Sequence, residues 1–129
     1  IGYCFGGGVV LQMAREGADL DGVASFHGSL APMGQAAEPG QVKAEVLVLH
    51  GQEDKFVTDE QLQAFKDEMQ KAGVGYELVV YPRASHSFTN PQADQFAEKY
   101  GLPLGYDAAT DEKSWAKLKV FLKEVFGAD

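Results

Sequence analysis

A continuous apolar run is the feature that most constrains the fold of this chain. Residues 45–51, EVLVLHG, contain four consecutive Val or Leu side chains with no polar residue between them. A strand with one face in water alternates apolar and polar residues, whereas a strand buried on both faces reads as an uninterrupted apolar run. Such strands occur in parallel sheets that helices cover on both sides. The run therefore predicts a central parallel strand.

Helices and strands alternate on both sides of this run. In chain order, the sequence predicts a helix over residues 6–16, strand 22–26, loop 29–44, strand 45–51, a helix over 58–72, strand 76–82, an irregular segment over 89–107 and a helix over 111–126. Thr58 and Gln61 resemble a capping box, and Gly17 and Gly73 are typical helix stops. This alternation predicts an α/β fold, in which a parallel sheet has helices on both faces.

Apolar residues recur at helical spacing in the last two long helices, and we interpret them as core positions. They are Leu62, Phe65 and Met69 in the first, and Trp115, Leu118, Phe121, Leu122 and Val125 in the second. No linker, internal repeat or low-complexity segment divides the chain. We therefore expect residues 1–129 to belong to a single domain.

Composition argues against several classes of function. The net charge is −8 and there is no basic tract, so nucleic acid and anionic membrane surfaces are not expected as partners. The sequence contains no run of about 18 apolar residues, so it predicts no membrane span. Cys4 is the only cysteine, which excludes an internal disulfide and a zinc cluster of thiolates. A chain that begins at Ile1 could have lost a signal peptide, so the compartment stays open, with the cytoplasm favoured over secretion.

Three chemically reactive side chains are predicted at the carboxyl ends of strands, where parallel sheets bind ligands. Cys4 stands between a short N-terminal segment and the first helix, Asp54 follows strand 45–51, and His86 follows strand 76–82. Their order in the chain is nucleophile, acid, histidine. Such a set can act as a triad: the histidine is general base and acid, and the carboxylate holds its tautomer and balances its charge.

The residues around Cys4, Gly2-Tyr3-Cys4-Phe5-Gly6, fit a nucleophile elbow. Small residues at positions 2 and 6 are expected to let strand and helix approach without collision. A thiol at a helix N-terminus is favoured as thiolate by the helix dipole. The amide N–H of Phe5 is expected to stabilise a tetrahedral oxyanion.

Neighbouring acidic, histidine and glycine residues offer alternative interpretations of the site. Glu53 competes with Asp54 for the acid position, but the H-G-x-x-D pattern at the strand end favours Asp54. His27 and His50 also lie at predicted strand ends; without ligand spacing such as H-x-x-x-H, we interpret them as packing or pocket-lining residues and expect no metal. The glycines after Cys4 lack the Gly-Lys-[Ser/Thr] of a phosphate-binding loop.

The chain resembles the dienelactone hydrolase family of α/β-hydrolases. The motifs that carry the resemblance are GYCFGG around Cys4, LHGQEDKFV around Asp54 and YPRASHSF around His86. The resemblance implies that Cys4 is the nucleophile, Asp54 the acid and His86 the base of an ester or lactone hydrolase acting on small molecules. It also implies that the reaction needs no metal or organic cofactor.

The resemblance runs from Ile1 to near Phe126 but covers only the C-terminal half of the family's domain. It implies that Ile1 ends a strand whose body is missing, and that the second oxyanion donor comes from the missing half. Strand 22–26 would then have an open edge, and we expect the isolated chain to fold poorly or to associate with itself.

One position departs from the family pattern. Members that cleave dienelactone carry an arginine four residues after the histidine, which meets the substrate's carboxylate; here that position is Asn90. Arg83 could approach the pocket, but we interpret it as a surface residue. The resemblance therefore predicts a preference for neutral short-chain esters or lactones.

A non-catalytic function is the alternative: a redox-sensing thiol on a hydrolase scaffold, or a degenerate relative used for binding. The presence of all three triad residues favours the hydrolase, because a binding protein has no need of Asp54 and His86 together.

Overall fold

A computed structural model describes residues 1–127 as a parallel four-stranded sheet with four helices. The elements in chain order are β1 (Gly2–Tyr3), α1 (Phe5–Arg15), β2 (Gly22–Phe26), β3 (Glu45–Gly51), α2 (Asp59–Lys71), β4 (Tyr76–Tyr81), α3 (Ala93–Tyr100) and α4 (Ala108–Phe126). The strands lie in the order β1-β2-β3-β4, and every pair is parallel. The predicted α/β class and the central position of β3 are confirmed.

Helices cover both faces of the sheet. Alternate residues of β3 point to opposite faces, so the apolar side chains of this strand contribute to both. On one face Val46 and Val48 pack in a cluster with Leu11 of α1 and Phe65 of α2. The cluster on the other face is built around α4; its members include Phe26, Leu47, Leu49, Leu118 and Phe121. The four Val and Leu side chains of residues 46–49 are thus all buried, which explains why no polar residue interrupts them.

The predicted helix ends are largely confirmed. Thr58 and Gln61 form a reciprocal capping box at the start of α2. Gly17 and Gly73, which follow α1 and α2, both have positive φ angles, of 75° and 67°. The start of α4 lies earlier than predicted, because Asp107 accepts a hydrogen bond from the Thr110 amide and caps the helix.

Two expectations were wrong. The segment 89–107 is not irregular throughout, because it contains α3. This helix is eight residues long and buries only Ala93. Its residues Ala93, Phe96, Ala97 and Tyr100 do follow helical spacing, but this pattern is short and the prolines and glycines of the segment favoured an irregular structure. Trp115 does not join the core face of α4 with Leu118, since half of its surface (50%) is exposed.

No helix within residues 1–127 is both long enough and apolar enough to cross a membrane.

Candidate active site

Cys4 lies in a strained turn between β1 and α1. Its φ and ψ angles are 54° and −120°, a conformation that L-residues rarely adopt. The turn is anchored because the Cys4 amide donates to the Phe26 carbonyl (3.0 Å), while its carbonyl accepts from the Gly7 amide (3.0 Å). Strain of this kind persists only where the surrounding structure enforces it, and it is concentrated at functional sites.

Glycines make this turn possible, although not at both positions that the sequence suggested. A Cβ atom on Gly2 would lie 2.0 Å from the Gly6 carbonyl oxygen, so Gly2 is required. A Cβ atom on Gly6 would meet nothing within 4 Å, so the expectation for Gly6 was wrong. Instead Gly7 is tightly enclosed, because its Cβ would lie 2.9 Å from the Cα of Gly28. Helix α1 can therefore approach both β1 and the turn after β2.

The structure brings Cys4, His86 and Asp54 together in one line of contacts. The Cys4 Sγ atom lies 3.0 Å from His86 Nε2, and His86 Nδ1 lies 2.9 Å from Asp54 Oδ2. Asp54 and His86 are buried, with 3% and 7% of their surfaces exposed, whereas Cys4 is exposed. The line therefore begins inside the protein and ends at a solvent-accessible thiol.

The carboxylate of Asp54 is held in place by a second contact. Its Oδ1 atom accepts from the Phe56 amide at 2.9 Å. The loop that carries Asp54 is fixed in turn, because the Glu53 amide donates to the Ala84 carbonyl at 2.9 Å. The Glu53 side chain is exposed and lies 3.7 Å from Lys55, so it takes no part in the contact with His86. The structure thus places Asp54, and not Glu53, beside the histidine.

Two histidines at this edge have opposite electrostatic environments. Burial alone would lower the pKa of His86, but hydrogen bonding and attraction to Asp54, with a smaller contribution from Cys4, raise it above its usual range. The ring of His27 lies 5.4 Å from that of His86, yet burial and repulsion from His86 lower the pKa of His27 to about 4. His86 is thus suited to carry a proton near neutral pH, and His27 stays neutral.

His27 and His50 are both buried, and no cluster of three or more metal-ligating side chains occurs among residues 1–127. His27 Nε2 lies 2.8 Å from Thr89 Oγ1, which fixes the ring beside the site. The interpretation of His27 as a pocket-lining residue is confirmed, because it borders a cavity next to Cys4.

Cavities open on two sides of Cys4. The first, which we call the polar lobe, has a volume of about 460 Å³ and is lined by side chains that include Tyr3, His27, Thr89, Asn90 and Asp111. The second, the apolar lobe, has a volume of about 440 Å³ and is lined by Phe5, Phe56, Val57, Leu102 and Leu104 together with Cys4 and His86. The apolar lobe was not predicted from the sequence; its one signal was the pair of leucines in a segment interpreted as irregular.

Arg83 lines neither lobe and is exposed, as expected of a surface arginine. A larger cavity of about 900 Å³ lies at the opposite ends of the strands, bordered by residues that include Asp21, Lys43 and Glu77. Its described lining contains no Cys, His or Ser. Since parallel sheets bind ligands at the carboxyl ends of strands, the smaller lobes beside Cys4 form the better candidate site.

Comparisons with known proteins agree with this arrangement. A model of the dienelactone hydrolase family matches residues 1–126. An uncharacterized protein of Caenorhabditis elegans is 34% identical over 126 residues, which are 97% of this chain and 78% of that protein.

Two solved structures are also similar. One, of a dienelactone hydrolase-like promiscuous phosphotriesterase from metagenomic libraries, is 38% identical with a TM-score of 0.85. Another, named m3DLH, is 36% identical with a TM-score of 0.84. Each match covers 96% of this chain and 50% of the other, so the chain spans half the length of these two proteins. With the α/β fold, the strained Cys4 turn and a family match over nearly all of its residues, the chain belongs to the dienelactone hydrolase family.

Proposed function

We propose that the protein hydrolyses esters or lactones of small molecules, with Cys4 as nucleophile, His86 as general base and acid, and Asp54 as the residue that orients His86. The observation that carries the proposal is the continuous contact from the buried Asp54 carboxylate, through His86, to the exposed Cys4 thiol, with separations of 2.9 and 3.0 Å. Both separations lie within hydrogen-bond reach, as nucleophilic catalysis requires.

In the first half of the reaction, Cys4 Sγ attacks the carbonyl carbon while His86 Nε2 holds the thiol proton. The carbonyl oxygen becomes an oxyanion. As the first residue of α1, Phe5 has an amide N–H without an acceptor one turn earlier in the helix, and this donor can bind the oxyanion. The intermediate collapses, the C–O bond breaks, and the leaving alkoxide takes the proton from His86.

The second half releases the acyl group. Water attacks the carbonyl carbon of the thioester and gives a proton to His86 Nε2. The C–S bond then breaks, the carboxylic acid leaves, and the proton returns to Cys4. Asp54 stabilises the imidazolium that forms twice in each cycle, which fits the raised pKa of His86.

The polar lobe supports a preference for neutral substrates. Among its described lining residues there is no Arg or Lys, whereas Asp111 contributes a carboxylate. A substrate carboxylate placed there would meet a like charge without a cation to offset it. This supports the expectation, drawn from Asn90, that neutral esters or lactones are preferred.

Neutral phosphotriesters are a second candidate class of substrate. The 38% identical structure is of a protein described as a promiscuous phosphotriesterase. A phosphotriester carries no net charge, so it suits a cleft whose two described linings contain no Arg or Lys. The test is release of p-nitrophenol from a dialkyl p-nitrophenyl phosphate; release that Cys4→Ala does not reduce would reject this class.

The experiment that tests the hydrolase proposal compares two neighbouring carboxylates in the full-length protein. Asp54→Asn removes the charge that faces His86, and Glu53→Gln is the matched control in the same loop. We expect Asp54→Asn to lower kcat for a p-nitrophenyl ester by about a hundredfold or more, while Glu53→Gln leaves it within twofold. Cys4→Ala should abolish turnover. Equal activity of Asp54→Asn and Glu53→Gln would reject the proposed triad.

The same variants separate the hydrolase from the non-catalytic alternative. A redox-sensing thiol would react with oxidants and show no ester turnover in the native protein. Multiple turnovers per Cys4 therefore favour the hydrolase, and an absence of turnover for every neutral ester tested would favour the alternative.

A further inference from the structure

The apolar lobe beside Cys4 is built from side chains that proteins rarely leave in water. Phe5, Phe56 and Leu102 are 71%, 51% and 43% exposed, and all three converge on one cavity. Single exposed apolar side chains are common, but a contiguous group around a concave surface marks a site for an apolar ligand.

The wall formed by Leu102 and Leu104 is attached to the loop that carries His86. The Gly105 amide donates to the His86 carbonyl at 3.1 Å, and the Asp107 amide donates to the Phe88 carbonyl at 3.1 Å. The segment between α3 and α4 therefore runs alongside His86 at a fixed distance. This places Leu102 and Leu104 in a defined position relative to the reacting atoms.

Phe56 also lines the lobe and is tied to the site. Its amide donates to Asp54 Oδ1 at 2.9 Å, and its ring centroid lies 4.6 Å from that of His86. A group that fills the lobe would lie beside Cys4, which is part of the same lining.

The chemistry of this lining selects its occupant. Apart from Cys4 and His86, none of the residues that line the apolar lobe is ionisable, and its large side chains are aromatic or aliphatic. A charged group placed there would lose hydration without gaining a partner, whereas an alkyl or aryl group would release water from apolar surface. A volume of about 440 Å³ is within the range of small-molecule sites.

We propose that the apolar lobe binds an alkyl or aryl substituent of the substrate and that Leu102 and Leu104 determine this specificity. The proposal rests on the proposed hydrolase function and extends the expectation of short-chain substrates to longer apolar ones. Each added methylene group that is buried in the lobe should raise kcat/KM by up to about fourfold.

The experiment compares p-nitrophenyl acetate, butyrate and hexanoate in the full-length protein, with a second series that varies the alcohol of acetate esters. We expect kcat/KM to rise by tenfold or more with chain length in one of the two series. Leu102→Asn should remove this rise, so that the esters of each series are hydrolysed with similar kcat/KM. Tyr100→Asn is the matched control, because Tyr100 is an exposed apolar residue (58%) two positions away that does not line the lobe.

A second measurement needs no hydrolysis. Alkylation of Cys4 by iodoacetanilide or iodoacetamide forms an S–C bond and releases iodide, and only the first reagent carries an aryl group. Relative to a small free thiol, the native protein should favour iodoacetanilide several-fold, and Leu102→Asn should abolish that preference.

The two measurements separate the possible failures. An aryl preference without ester turnover would support the apolar lobe and reject the hydrolase. Ester turnover with no chain-length dependence in either series, and no aryl preference in alkylation, would overturn the assignment of the lobe and leave the hydrolase standing.

Discussion

The Arg15–Glu68 network between α1 and α2 and the Asp54–His86–Cys4 network at the strand ends are both built on buried charged side chains, but they end in different ways. Arg15 donates from Nε and Nη2 to the two oxygens of Glu68, at 2.8 and 3.0 Å. Glu68 also accepts from the Ala37 amide (2.8 Å), and Arg15 also donates to the Leu30 carbonyl (2.7 Å). This network ends inside the protein, where Arg15 Nη1 is buried without a hydrogen-bond partner among the described residues.

The second network, from Asp54 through His86 to Cys4, instead ends at the protein surface. Asp54 uses one oxygen for the Phe56 amide and the other for His86, but the far nitrogen of His86 faces an exposed thiol. The backbone at this thiol is strained, whereas Arg15 lies within a regular helix. Buried charge alone therefore does not identify a functional site; the proposed site is distinguished by a reactive group at its accessible end that is held on strained backbone.

The largest effect should come from the accessible end of the second network. We expect His86→Ala to lower kcat for ester hydrolysis by about a thousandfold or more, because triad residues act as a unit. His50→Ala is the matched control, since His50 is equally buried at a strand end but has no contact with Cys4. Steady-state kinetics of both variants would measure this, and a similar loss in the two would contradict the distinction.

The Arg15–Glu68 network should affect stability instead of activity. Arg15→Met leaves the Glu68 carboxylate partly buried without its partner, which should lower the free energy of unfolding by about 3–5 kcal/mol. Denaturant unfolding would measure this loss. The double variant with Glu68→Met should recover much of it, because apolar side chains can replace a buried ion pair. An Arg15→Met protein with native stability and reduced kcat would reverse the assignments of the two networks.

His27 offers a smaller effect, on the pH dependence of stability. Its pKa is about 4 in the folded protein, against an ordinary value of 6.5, because its ring is buried. As the pH falls, this imidazole is therefore protonated in the unfolded chain before it is protonated in the folded protein. The free energy of unfolding should decrease for this reason between pH 6.5 and 4, by up to about 3 kcal/mol.

The measurement compares unfolding free energies at pH 7 and 4.5 in native protein and in His27→Asn, since asparagine tolerates the positive φ of 39° at this position. The loss on acidification should be smaller in the variant. His86 works in the opposite direction, because its raised pKa gives stability that is present below pH 6.5 and is lost as the pH rises through the folded value. Equal losses in both proteins would show that His27 is not the group responsible.

The smallest expected effect changes the charge of the polar lobe. Asn90→Arg places a cation where the described lining has none, and it should raise kcat/KM for a carboxylated ester over its neutral analogue by about tenfold. Asn90→Gln is the control of similar polarity without charge. A native protein that already prefers the anionic ester, with no further gain from the arginine, would contradict the role expected of Asn90.

Most of the fold was predictable because its signals are local. The apolar run of β3 and the Thr58 capping box each lie within a few residues of the element that they define. Helix α3 was missed because its apolar pattern is short and lies in a segment that contains two prolines and two glycines. Trp115 matches the apolar spacing of α4 but is half exposed, which shows that periodicity indicates a face without fixing its width.

The position of the three reactive residues was predictable because strand ends in a parallel sheet meet at one edge. The apolar lobe beside them was not, since the segment that carries Leu102 and Leu104 is held at the site by hydrogen bonds from Gly105 and Asp107 to distant backbone carbonyls. Contacts between segments far apart in the chain leave no pattern in either segment alone.

The central claim, that Cys4 and His86 act as one reactive unit, is tested most directly by the pH dependence of Cys4 alkylation with iodoacetamide. The comparison is made at each pH between the native protein and His86→Ala. We expect the native protein to react about tenfold faster or more near neutral pH, because His86 Nε2 lies 3.0 Å from Sγ and can take the thiol proton. If the two proteins react at the same rate throughout, this contact does not activate the cysteine and the account is contradicted.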